Sequence, residues 1–596
     1  MRGGVRAARA RLAAAAHRHA AVARCAVAGR HRRLRRGGCR WRAALDCRQR
    51  LDTRRSLRAA AARSRRRRRC RGGSVKAGTT YDVVVVGCGH NGLVAAALLA
   101  RAGLRVLALE RREVVGGACV TESPWPGWRV STAAYVVSLL HPRVVRELEL
   151  ARFGYEAYRK EPASFTPLED GRSLLLGSDD AANALEVSRF DPRDVDGLRQ
   201  FTSAAERWGG FVHETLAQPA PSRDILTARW GENDAWSILE ASAAELVRRY
   251  VHAPVLQATL ATDGLIGTFA GPEQGGTGYV LAHHYAGRAH GVQGAWGFVR
   301  GGMGGITRAL ALSLRSAGGE IRTQAEVERI VVERGRVRGV VLRDGTEIAA
   351  ATVLSNATPQ RTFLELLPAG SIAAEFAAHV RAWRCEGVSL KVNFALGEAP
   401  DFSARPGTQL QAHHRATIHV APSLEYLQRG YEDAAAGGVS QAPLLECFMQ
   451  SPTDASIAPP GKHLLSVFAQ WFPYGRTGGW DAARREQAAD VILETLARYA
   501  PNLPDVVEAR QVLAPPDLEE LLGLYHGHIF HGELLPGQIF GDRFAARAPV
   551  AGLYLCGSGA HPGGCVSGAP GLLAAEAVLA DAAQAEAAGN EGDPAG

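Results

Sequence analysis

Lysine is nearly absent: four residues, at positions 76, 160, 391 and 462, stand against 66 arginines. A binding surface does not require one cation to the exclusion of the other, so a bias this uniform points to GC-rich coding. Cysteine pairs are also lacking. Of ten cysteines, Cys25, Cys39, Cys47 and Cys70 lie near the N-terminus, and the rest are Cys88, Cys119, Cys385, Cys447, Cys556 and Cys565. No C-x-x-C or C-x-x-x-x-C occurs among them, which excludes a sequence-local redox dithiol, a zinc-ligand spacing and a disulfide framework. A reducing compartment is the simplest fit, and no metal site is expected. No window offers 18 uncharged apolar residues, so no membrane-spanning helix is expected, while peripheral membrane contact stays open. Acidic residues are scarce only at the start. Residues 1–76 hold 26 Lys+Arg against Asp46 and Asp52, so +24 there leaves −13 for the remainder of a chain whose total is +11. The remainder is acidic, and no nucleic-acid partner is expected for it.

The Ala/Arg/Gly-rich stretch 1–76, with five consecutive arginines at 65–69, admits three readings. It resembles a mitochondrial transit peptide in composition, or a basic arm for nucleic acid. The third and simplest is an upstream start chosen in GC-rich DNA, with Val75 a plausible true beginning. Any of the three makes it disordered. The expected location is the cytoplasm of a bacterium, or the mitochondrial matrix if the leader is a genuine transit peptide.

What the chain does have is concentrated in residues 81–117, YDVVVVGCGHNGLVAAALLARAGLRVLALERREVVGG. The apolar run 83–86 predicts a parallel strand buried on both faces. Gly87, Gly89 and Gly92 follow as G-x-G-x-x-G, with His90 and Asn91 inside the motif. Such glycines permit the tight turn, the approach of backbone to a pyrophosphate, and the packing of helix on strand. Residues 93–102 read as a helix whose N-terminal N–H groups and dipole hold phosphates. After a second strand at 105–109 comes Glu110, placed about 20 residues past the glycines to accept hydrogen bonds from ribose hydroxyls, and then Arg111. The whole unit predicts a dinucleotide site. Gly116 and Gly117 add a second glycine pair that a plain NAD site does not need.

Further along, helical periodicity marks 194–216 and 235–250. The stretch 275–305 is dense in glycine, aromatic residues and histidine, which suits close backbone approach to a flat ring system. A helix at 306–317 precedes strands at 327–333, 336–342 and 346–350, with turns at Arg334-Gly335 and Asp344-Gly345, the pattern of a β-meander. Strands are expected at 388–396 and 464–471, a helix at 481–499, a short strand at 553–556 and a final helix at 572–582. No second strand–G-x-G-x-x-G–helix unit follows, so a separate NAD(P)H domain is not expected.

Three segments, VVVGCGHNGL, ERREVVGGACVTE and STAAYVVSLLHP, resemble the phytoene-desaturase-like FAD-dependent oxidoreductases, and the resemblance runs from about residue 81 to 582. It implies an α/β fold: a Rossmann-type FAD domain of the glutathione-reductase and amine-oxidase kind, with an interleaved α+β substrate domain. The implied boundaries are 77–144, 296–360 and 546–585 for the FAD domain, 145–295 and 361–545 for the substrate domain, and 586–596 for a disordered tail. It implies FAD as cofactor, held by the residues named above together with Val327, Gly557, Gly563 and Gly564. The implied activity is oxidation of a hydrophobic or amine small-molecule substrate by hydride transfer to the flavin, with electrons leaving to oxygen, a quinone or another carrier. The alternative is a regulatory protein in which FAD is structural. The sequence leaves oligomeric state open.

Because a flavin carries its own chemistry, no catalytic triad is expected. His561, in an HPGG segment after the last strand, is the first candidate for orienting substrate or stabilising charge, with loop shaping by a buried histidine as the other reading. His283, His284, His526, His528 and His531 rank below it. Cys565 invites a covalent flavin link, against the plainer reading of a small buried thiol. Two positions depart from the resembling family: Ala118 stands where an arginine often follows the glycine pair, and Ala560 where threonine is common.

Overall fold

The computed structural model describes residues 81–591; the expected leader at 1–76 and the last five residues of the expected tail lie outside them. Two seven-stranded sheets organise these residues. The first is a parallel core, in the order Glu320–Arg322, Val106–Leu109, Tyr81–Val86, Glu347–Ser355 and Leu553–Leu555. An antiparallel meander, Val327–Glu333 and Arg336–Leu342, is attached along Glu347–Ser355. Val83, Val84 and Val85 are fully buried, because helices cover one face and the meander the other. Helix His90–Arg101 packs on helix Ala569–Glu591, closely enough that a methyl group on Gly571 would come 2.1 Å from the Asn91 carbonyl oxygen. This α/β sheet is assembled from three separate stretches of chain, which bring the glycine motif and the last strand side by side.

The second sheet runs Val507–Leu513, Ser389–Leu396, His463–Gln470, Leu444–Met449, Thr417–Val420, Ser164–Pro167 and Ser173–Leu176. It is antiparallel except where Thr417–Val420 meets Ser164–Pro167. Its side chains alternate. Leu390, Val392, Leu445, Cys447, Leu465 and Val467 enter the same core as Ile492 and Leu496 of helix Ala482–Ala497. The opposite face carries Ser389, Lys391, Glu446 and Phe468, and these line a cavity. Both faces are buried, so the polar face is no solvent face.

Several elements differ from expectation. The helix predicted at 235–250 is two, Glu232–Leu239 and Ala243–Arg248, since Ser242 caps the second through a reciprocal capping box with Glu245. The third meander strand extends to Ser355, because its second half pairs with the glycine-motif strand. Five strands of the second sheet, Ser164–Pro167, Ser173–Leu176, Thr417–Val420, Leu444–Met449 and Val507–Leu513, were not expected. Among the described residues no helix is long and apolar enough to cross a membrane.

Candidate functional site

A cavity of about 1040 Å³ begins at the glycine motif and ends against the second sheet. That exceeds the range of a single small-ligand site and leaves room for more than one occupant. At the first end, Gly87 adopts φ +93°, and helix His90–Arg101 starts from Gly89 with no side-chain cap. A Cβ on Gly92 would sit 2.2 Å from the Gly87 carbonyl oxygen, and one on Gly89 2.8 Å from Asn356 Nδ2. The loop is therefore a cradle that only glycine leaves open, with free helical N–H donors facing it. Asn91 Oδ1 and His90 Nε2 are buried there without partners. Burial holds His90 down to about 4, so the ring is neutral.

Glu110 ties loop and strand together: its carboxylate accepts N–H bonds from Cys88 (2.9 Å) and Arg112 (3.0 Å). Two acceptor positions remain on the carboxylate for a ligand. Gly87, Gly89, His90, Asn91, Glu110, Arg111, Gly117 and Val327 all line the cavity, whereas Gly92 and Gly116 shape it from behind. No arginine stands at 118, but Arg111, Arg112 and Arg361 are among the residues of the wall. Asn356, Arg112 and Arg361 escaped sequence reading; the VLSNATP segment that returns to the motif was the one available signal.

Past the last strand, loop 556–568 contributes Ser558, Cys565 and Val566 to the wall, while Gly557, Gly563 and Gly564 lie behind it. Gly557 packs on the Asn356 backbone and Gly564 on the Phe530 ring, where Cβ atoms would come within 2.7 and 2.2 Å. His561 corrects an expectation. It is buried off the cavity near the backbone of Thr215 and Gln218, with its ring beside Phe540, and burial lowers it to about 4. It does not line the cavity, and the loop-shaping reading fits its place better. Of the other histidines, His284 and His531 line the cavity; His526 is stacked between Tyr474 and Tyr525. Cys565 reaches the wall, but burial pushes its thiol up to about 12. A thiol held protonated is a poor nucleophile. We expect acid precipitation of the FAD-loaded protein to release all flavin into the supernatant; flavin retained in the pellet would contradict this.

At the far end Tyr135 packs between Phe448 and Phe468, with ring centroids 4.5 and 5.9 Å away. Lys391 Nζ lies 5.1 Å from the Tyr135 ring centroid and donates to Asn393 Oδ1 (2.7 Å) and to Ser466 Oγ. Burial lowers it to about 7. Beyond these rings stand Lys160, Asp263, His284, His419 and Glu446. Of the five, only His284 was picked out from sequence.

A family model described as flavin containing amine oxidoreductase matches residues 92–579. The chain belongs to that family. It is an FAD-dependent oxidoreductase, acting on a small-molecule substrate and an electron acceptor. It is similar to mouse pyridine nucleotide-disulfide oxidoreductase domain-containing protein 2, at 39% identity over 543 residues, 84% of this chain and 94% of the relative. A lycopene-forming phytoene desaturase of Pseudescherichia vulneris is 28% identical over 83% of this chain and 98% of its own. Among solved structures, putrescine oxidase bound to putrescine superposes with a TM-score of 0.53 at 16% identity, covering 84% of this chain and 99% of that one. Cyclohexylamine oxidase from Brevibacterium oxydans gives 0.52 at 15%, covering 85% and 100%. These two share the fold. The amine-oxidase-like architecture implied by the sequence is the one observed. The glycine cradle, the uncapped helix and the orphaned Asn91 and His90 atoms fit FAD, with Glu110 and the backbone of the cradle as its holders.

Proposed function

We propose that this oxidoreductase removes two electrons from a C–H bond of a small organic substrate whose reacting part is apolar, and delivers them to oxygen, a quinone or another carrier. Bound FAD supplies the electron-accepting chemistry. The observation that carries the reading is continuity: one cavity runs from the glycine cradle, past Cys565 and Phe530, to the aromatic wall of Tyr135, Phe448 and Phe468. That wall presents flat apolar faces for substrate packing and keeps water from the reacting centre. Lys391 is fixed by Asn393 and Ser466, and its lowered pKa lets it give up or hold a proton near neutral pH. A structural flavin needs no such chamber, so the regulatory alternative is not retained. Reconstitution with FAD, followed by anaerobic mixing with candidate substrates, tests the proposal. Bleaching of the flavin band by at least one apolar substrate, and its return with an acceptor, is expected; a flavin that no substrate or photoreduction can bleach would refute it.

A further inference from the structure

The far end of the cavity holds an ammonium group with no carboxylate paired to it. Lys160 is 7% exposed and lines the cavity. Its Nζ has no hydrogen bond or ion pair among the described residues, and its close contact is the Phe448 ring, 5.2 Å from Nζ to centroid. An aromatic face compensates a desolvated cation only in small part, far less than burial costs it.

The carboxylates nearby are otherwise engaged. Glu446 Oε1 faces His419 Nε2 at 3.2 Å, and His419 Nδ1 lies 3.0 Å from Ser164 Oγ. Asp263, close to both Glu446 and His284, is driven towards its neutral form by burial. Glu161 pairs with Arg159 at 3.0 Å and accepts the Ser178 N–H. Lys391 also lacks an acidic partner, since its acceptors are an amide and a hydroxyl. Neither lysine of the chamber therefore has a carboxylate as a hydrogen-bonded or ion-pair partner.

Composition supports the point independently. Only three lysines fall among the described residues, and two of them wall this cavity. The third, Lys462, is an exposed partner of Glu508 at 2.6 Å. A coding bias that made nearly every other cation arginine left lysine here, where a compact point charge fits and a planar guanidinium with five donors would not be satisfied.

We infer that Lys160 forms a subsite for an anionic group, so that the substrate is a carboxylic acid whose apolar part lies along Tyr135, Phe448 and Phe468. This rests on the oxidoreductase reading above. One ammonium suits a singly charged carboxylate, whereas a phosphate needs more cations than the subsite offers. An amine substrate would bring a further ammonium beside that of Lys160.

The test uses the FAD-loaded protein and three probes of one shape: benzoate, uncharged benzamide and cationic benzylamine, followed by calorimetry and by the flavin difference spectrum. At about pH 7 benzoate should bind at least about tenfold more tightly than either other probe. Lys160→Met should remove that preference while leaving benzamide affinity unchanged. For wild-type protein, benzoate affinity should hold below pH 8 and fall as pH rises further, because Lys160, lowered to about 8 by burial against the pull of Glu446, Asp263 and Glu161, then loses its proton. Lys391, lowered to about 7, and His284, His419 and Tyr135 also face this chamber and are included in fitting the profile. Tighter binding of benzylamine, an unaltered benzoate affinity in Lys160→Met, or a flat wild-type profile to pH 10 would overturn the subsite. If Lys160→Met does not fold, the wild-type profile decides. Failure to retain FAD would instead count against the cofactor reading, and calorimetry with benzoate still reports on Lys160.

Discussion

Gly92→Ala should yield a protein that no longer retains FAD. The added methyl group would sit 2.2 Å from the Gly87 carbonyl oxygen and 3.1 Å from Asn356 Cβ. The first obstacle is backbone, which cannot rotate aside as a side chain can. Helix His90–Arg101 must then move away from the turn, and its free N–H groups lose their aim at the pyrophosphate. Overpacking of this kind costs about 1–3 kcal/mol of stability, too little to unfold a chain of this size but enough to misplace the cradle. The measurement is the ratio of visible flavin absorbance to protein absorbance after purification in FAD. Gly210→Ala is the control: it lies in helix Asp194–Thr215 with no atom within 4 Å of the new Cβ, and should gain about 0.5–1 kcal/mol with flavin unchanged. A full flavin complement in Gly92→Ala would show that the cradle does not hold the cofactor.

The cofactor end of this cavity was legible because its determinants are local. Gly87, Gly89, Gly92 and Glu110 fall within 24 residues, and their roles follow from backbone sterics and one strand–turn–helix–strand unit. The substrate end obeys no such rule. Lys160, Asp263, His284, His419 and Glu446 come from segments up to 286 residues apart and meet only through the second sheet and its covering helices. In LLECFM, at 444–449, Glu446 occupies the alternate face that sequence reasoning assigns to solvent, yet every residue of the strand is buried. Two signals were nonetheless present: strands whose polar face had no reason to be wet, and lysines surviving in an arginine-rich chain. His561 stays off the cavity wall for the converse reason. Its motif is near the flavin in sequence, but which way a loop side chain turns is decided by packing, here against Phe540 and the turn after helix Asp194–Thr215.

Arg543→Met should be among the most destabilising single substitutions in the chain. Arg543 is 3% exposed and belongs to no recognisable motif. Its guanidinium donates to the Ser558, Glu533, Gln538 and Phe530 carbonyls, at 3.1, 3.0, 3.0 and 2.5 Å. It thereby clamps loop 556–568 to the segment 530–538 behind the cavity. Burial lowers its pKa to about 10, so it remains charged at neutral pH. Methionine fills similar space but leaves four buried carbonyls without donors, each costing about 1–3 kcal/mol before relaxation. A net loss on the order of 4 kcal/mol follows, since some carbonyls will find water or shift. Lysine should recover little, because a single ammonium has three donors on one atom and cannot span both segments. Urea unfolding of the FAD-loaded and FAD-free proteins separates two contributions. The loss should be larger with FAD bound, because Ser558 and Cys565, carried by the clamped loop, form part of the cofactor wall. Equal losses in both forms would mean that the clamp serves the fold alone, and stability within about 1 kcal/mol of wild type would mean that the carbonyls are satisfied without it.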